Sequence, residues 1–198
     1  MRGFNHRKSV QALNYLAGKA GGQMNKMKAI KLIWLSDRLH LRKYGRTITG
    51  DVYFAMPLGP VPSTTRDILE HNKYSLSDDE LNYTSEFLTV LSDYEYASTK
   101  EPNLKVFSKT DVEAIDEVFN VYGHMEPFSL SNVSHAFPEW KRYESALKQK
   151  LASRFEMDVL DFFEKSDDVI GPFNESVESL ALAKEVYIEN KNLLSALQ

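Results

Sequence analysis

Apolar residues return at close to helical spacing between residues 6 and 20, at Val10, Leu13, Tyr15, Leu16 and Ala20. The pattern stops at Gly21-Gly22, which predicts a first helix ended by backbone that accepts left-handed angles. Asn25 predicts the cap of a second helix running to about Tyr44, where Arg42 and Lys43 suit the negative end of the helix dipole and Gly45 terminates it. At about 100° per residue, Ile30, Ile33, Trp34 and Leu41 fall on one side of this helix and Leu32, Leu35 and Leu39 on nearly the opposite side. Apolar residues on both sides predict a central helix. Two narrow arcs are left through which it could reach water. One carries Ala29, Ser36, His40 and Lys43; the other, a basic stripe, carries Lys31, Arg38 and Arg42 with Lys28 at its edge. Asp37 projects among the apolar residues and predicts a buried carboxylate in need of hydrogen-bond donors, because an unpaired buried charge is expensive.

After Gly45 the period changes. Arg46-Thr47-Ile48, a Thr49-Gly50-Asp51 turn and Val52 to Ala55 read as a short β-hairpin, ended by Pro57, Gly59-Pro60 and Pro62. Ser63 then caps a short third helix over Thr65 to His71. The β-favouring runs 87–90, 94–96 and 106–107 predict strands that extend the hairpin into a small sheet. Ser108 with Asp111, or Thr110 with Glu113, opens a helix carrying Val112, Ile115, Phe119 and Tyr122 on one face, which Gly123 closes. Ser129 to His135 is a short helix, Pro138 restarts another through Trp140, and Asn174 caps a last one to about Leu197. In that last helix Leu180, Ala183, Tyr187, Asn190, Leu194 and Leu197 keep a heptad-like spacing. Docking on the chain's own core is the favoured use of this seam, with self-association as a homodimer or partner binding as the alternatives. The predicted fold class is mainly α with a small antiparallel β-sheet, an α+β fold in a single compact domain.

Charge refines this picture. The net charge of −4 conceals eleven Lys/Arg against the single Asp37 in residues 1–50, and thirteen against twenty-seven acids in residues 51–198. Such segregation points to a partner at the basic end, with part of it consumed by pairing inside the molecule. The absence of cysteine from all 198 residues excludes disulfides, thiolate zinc or iron–sulfur sites and a cysteine nucleophile. No apolar run approaches the roughly 20 residues that cross a bilayer, and the amino terminus lacks a signal-peptide core, so a cytoplasmic protein without membrane contact is expected.

The run Lys31-Leu32, Asp37, His40-Leu41, Tyr44-Gly45-Arg46, Ile48-Thr49-Gly50-Asp51, Tyr53 and Gly59-Pro60-Val61-Pro62-Ser63 resembles the signature of the Panacea (SocA-like) antitoxin domain. Leu130-Ser131, His135 and Pro138-Glu139-Trp140 resemble its second block. The family commonly has an aromatic-aromatic-alanine-aspartate run where this chain has Trp34-Leu35-Ser36-Asp37. The resemblance implies a domain over residues 1–143 and a helical extension over 144–198 packed on or next to it. It also implies a bacterial or phage-borne antitoxin that neutralises a toxin encoded beside it by direct contact, some relatives also delivering the toxin to a protease.

The chemistry of single residues fits binding better than turnover. Asp37 and His40, three apart, with His135 could be metal ligands or an acid–base pair, but scattered histidines without a spaced third ligand satisfy local hydrogen bonds more often. No phosphate loop, nucleophile elbow or recognisably spaced carboxylate pair is present in the sequence. No catalytic residue, cofactor or metal is therefore expected. The partner-contact candidates are Lys28, Lys31, Arg38 and Arg42, the hairpin around Arg46, Thr49 and Asp51, and Tyr187 and Leu194 of the last helix. Asp37, His40, Tyr44, Gly45, Gly50, Tyr53, Gly59, Pro60, Pro62, His135 and Trp140 are expected to shape the fold. Nucleic acid is a minority reading, since no groove-fitting element accompanies the basic stripe. The alternatives kept are a DNA-binding regulator of its own operon, a phage-encoded inhibitor of a host defence protein, and an enzyme acting on a small molecule through Asp37 or His40.

Overall fold

The computed structural model describes residues 3–166 and 171–196. Helix α1 spans His6–Lys19, with Asn5 accepting from the Lys8 N–H at its start. The glycine pair leads into strand β1 (Gln23–Asn25). Asn25 caps α2 (Lys26–Tyr44), and Gly45 ends it in the left-handed conformation, φ 67°. A side chain at Gly45 would also meet the Ala183 carbonyl and Val186, so this glycine both turns the chain and lets a later helix approach.

The hairpin lies one segment later than the sequence pattern predicts. Strands β2 (Tyr53–Met56) and β3 (Gly59–Pro62) pair antiparallel, with Phe54 opposite Val61 and a two-residue turn at Pro57-Leu58. Two prolines are tolerated in β3 because it is an edge strand, in the order β3-β2-β6, where a missing N–H on the open side costs no ladder bond. Residues 46–51 form no strand. Helix α3 (Ser63–Leu69) follows without a side-chain cap of its own.

Helix α4 (Asp78–Phe87) is an element the sequence pattern did not predict. A Ser77–Glu80 capping box and three acids in its first turn nucleate it. Strands β4 (Leu88–Val90) and β5 (Glu95–Ser98) do not extend the hairpin; with β1 they make a separate sheet in the order β1-β5-β4. Residues 104–106 are a 3-10 turn, and α5 (Lys109–Tyr122) opens on the Ser108–Asp111 capping box and closes at Gly123. Helices α6 (Pro127–Ser134) and α7 (Pro138–Lys148) each carry proline in the first turn. Strand β6 (Phe155–Glu156), a 3-10 turn at Val159–Phe163 and helix α8 (Val177–Ser195) complete the chain. Ser176, not Asn174, caps α8 by accepting from the Ser179 N–H.

The mainly helical α+β class holds, and α2 is its hub, packed against α5, α8, α6 and β3. Both of its predicted apolar faces are buried. The α8 seam docks on the chain's own core through Leu180, Ala183 and Tyr187, whereas Asn190 faces solvent; the side chains of Leu194 and Leu197 lie outside the described residues.

Candidate functional site

The signature residues converge on two buried carboxylates. Asp37, on the hub helix, accepts from the Ile48 N–H at 2.7 Å, the Thr49 N–H at 2.9 Å, the Thr49 hydroxyl and the Tyr53 hydroxyl at 2.9 Å. This is why residues 46–51 cannot be a strand: their amides answer to a side chain instead of a neighbouring backbone. Burial raises the Asp37 carboxyl to about 6, against the opposing pull of the Thr49, Tyr53 and Ile48 donors. Asp51 does the same for α3, accepting from the amides of Thr64 at 2.9 Å and Thr65 at 2.7 Å and from the Thr65 hydroxyl. The cap missing from Ser63 is supplied from twelve positions earlier in the chain. Thr49 and Asp51, two of the partner-contact candidates, are therefore interior, as are the family residues Gly59, Pro60 and Pro62.

The exposed basic stripe is corrected by the structure. Lys31, Arg38 and Arg42 are 1%, 0% and 2% exposed. Arg38 Nε lies 2.7 Å from Glu139 Oε1, and its guanidinium rests over the rings of Phe137 and Phe173. Arg42 pairs with Glu175 at 3.0 Å and donates to the carbonyls of Phe162 and Glu164. The acids of the chain's second half have been drawn onto the cations of its first. Lys28 and Arg46 remain half-exposed, and Arg46 pairs with Asp111 at 2.8 Å. Tyr187 is buried against Phe163.

Lys31 is different in kind. Its ammonium donates to the Pro60 carbonyl at 2.7 Å, on the open edge of β3, and no carboxylate pairs with it among the described residues. Gly59, at φ 96°, makes room, because a Cβ there would come 2.9 Å from Lys31 Nζ and also meet Ser134. Burial lowers the lysine to about 7 from the ordinary 10.5. A basic group depressed on folding contributes stability that is present above its unfolded pKa and lost as pH falls through the folded one. Lys31→Met is accordingly expected to stabilise the protein by about 1–3 kcal/mol at pH 6. The gain should shrink steadily towards pH 10, as read by urea denaturation at several pH values.

The three residues that could have shared a metal or a proton are kept apart. His40 donates from Nδ1 to the Arg46 carbonyl at 2.8 Å, which leaves Nε2 to accept from the Thr110 hydroxyl at 3.0 Å. Burial takes this imidazole down to about 4, so it stays neutral, and the nearby Asp111 carboxylate is held by Lys8 and Arg46. Tyr44 packs on the His40 ring and is partly exposed. His135 stacks on Trp140 at 3.8 Å, and the indole N–H donates to the Met56 carbonyl. Asp37 is occupied as described. Among the described residues no helix is long and apolar enough to cross a membrane.

Sequence reasoning missed a cleft of about 630 Å³ between the two hairpin turns and the start of α2 and α6. Leu58, Tyr94 and Phe128 stand on it, 52%, 74% and 67% exposed, and Lys31 lines it. No periodicity could reveal it, since its residues come from six separate elements and two turns.

Similarity searches give no significant match to a curated protein or a solved structure. The profile of the family described as "Antitoxin SocA-like, Panacea domain" matches residues 30–141, from the start of the buried hub face to the helix that carries Glu139 and Trp140. With more than half of the chain matched, and with the matched residues including Asp37 and Asp51 with their donors, the β2–β3 hairpin and most of the hub helix, this chain belongs to the SocA-like antitoxin, Panacea domain family.

Proposed function

We propose that this protein neutralises a cognate toxin by direct, stoichiometric binding, without turnover or cofactor. The observation that carries the reading is the family match over residues 30–141. The disposition of the ionisable groups supports it: Asp37 and Asp51 are spent on backbone amides and hydroxyls, and Arg38 and Arg42 on Glu139 and Glu175, so none stands free to do acid–base chemistry on a substrate. The half-exposed candidates Lys28 and Arg46 and the apolar cleft supply a surface for a protein partner.

Co-expression with the toxin encoded beside it tests this. Growth should be restored, and the two proteins should elute together as a one-to-one complex on size-exclusion chromatography with light scattering. A toxin that stays fully active beside the folded protein defeats the proposal. An immunoblot of the toxin in the same cells separates occlusion, in which its level is unchanged, from delivery to a protease, in which its level falls.

A further inference from the structure

We propose that the apolar cleft between the Pro57-Leu58 turn, the β4–β5 turn and the first turns of α2 and α6 seats a segment of the partner polypeptide that inserts bulky apolar side chains and brings a carboxylate to Lys31. The inference rests on the toxin-binding reading and adds the chemistry of the segment recognised. Its first support is convergence. Leu58 and Tyr94 come from two hairpin turns and Phe128 from the start of α6, far apart in sequence, yet all stand more than half exposed on one cleft, whose walls include Met27, Ile30 and Leu69. A cluster of large apolar side chains at a concave surface is what a partner's anchor residues cover in protein complexes.

Charge supplies the second support and selects the segment. Lys31, fully desolvated, spends one hydrogen bond on the Pro60 carbonyl and faces no acid. Lys26 on the rim likewise has no acidic partner among the described residues. Of the other charged residues on the cleft, Arg66 and Glu70 satisfy one another at 2.7 Å, leaving Asp93 alone to oppose Lys26 and the Lys31 amine, whose charged form an arriving carboxylate would favour. The cleft is therefore apolar with a surplus of positive charge, and the complementary element is apolar with a negative one.

The probe is a set of fluorescein-labelled synthetic peptides, each holding Leu or Phe residues around a central Glu, with the matched Gln peptides, titrated into the full-length chain by fluorescence polarisation. Glu peptides should bind about tenfold more tightly than their Gln counterparts. Phe128→Asp, a change at an exposed position, should weaken both by about tenfold or more. Lys31→Met, its fold checked by circular dichroism, should erase the preference for Glu while leaving the Gln peptides bound as before. The proposal fails if Glu and Gln peptides bind alike, if Phe128→Asp binds as the parent does, or if dodecanoate binds and no peptide does. In the growth assay, a Phe128→Asp chain that still protects cells removes the cleft and leaves the antitoxin reading standing, whereas loss of protection supports the cleft. Failure of the parent chain to protect removes the antitoxin reading itself.

Discussion

Glu139→Ala is expected to lower the stability of the folded protein by roughly 3–5 kcal/mol, because it leaves a guanidinium buried without its counter-charge. Arg38 and Glu139 meet at 2.7 Å with both side chains wholly out of water. The loss cannot be repaired by reorientation, since Arg38 is held between the rings of Phe137 and Phe173 at 4.6 and 4.8 Å. The pair is nonetheless a poor stabiliser against an apolar alternative: Arg38 Nη1 and Glu139 Oε2 have no hydrogen-bond partner. Replacing both together, Arg38→Met with Glu139→Leu, should therefore recover most of the loss and end within about 1–2 kcal/mol of the parent. Urea denaturation of the two single variants and the double variant measures this directly. A Glu139→Ala protein within about 0.5 kcal/mol of the parent would contradict the desolvation argument, because that is the range of an ordinary surface change.

Asp37→Ala should be comparably damaging, at about 3–5 kcal/mol, for the opposite reason: it removes the acceptor from four donors at once. Two of those donors are backbone amides of residues 48 and 49, which belong to no ladder and have no substitute. Tyr53→Phe offers the graded control. It removes one donor of the four and should cost about 1–2 kcal/mol. The two variants differ further in what they loosen. Hydrogen exchange should accelerate at Ile48 and Thr49 in Asp37→Ala, and stay slow there in Tyr53→Phe. Equal protection of those amides in the parent and Asp37→Ala proteins would show that the loop is held by something other than the carboxylate.

The hub helix was legible from its punctuation and its two apolar faces: Asn25, Gly45 and the split of Ile33 and Trp34 from Leu35 and Leu39 all stand where the pattern puts them. The buried nature of Asp37 was legible too. The fate of its neighbours was not, because helical periodicity orders residues around an axis and says nothing of what lies opposite. Lys31, Arg38 and Arg42 share an arc as cations should on a wet face, but the acceptors that neutralise the two arginines are 101 to 133 positions away. The excess of acids after residue 50 was the available signal, and it fixes neither partner nor position. The hairpin was displaced for a related reason. Ile48 and Thr49 have strand-like side chains, and only the Asp37 carboxylate diverts their amides. Helix α4 went unread, although the Ser77–Glu80 box that opens it is a signal written in the sequence.

The stretch of chain that reveals kinship and the stretch that shields α2 from solvent are not the same. The family match stops at residue 141, yet Arg42 is answered by Glu175 and by two carbonyls beyond that limit, and Gly45 is bare so that Ala183 and Val186 can lie against it. Arg42, unlike Arg38 with its Glu139, therefore depends on the tail for its acceptors. The tail is thus a structural obligation of the helix beneath it, whatever else evolution asks of its outer side.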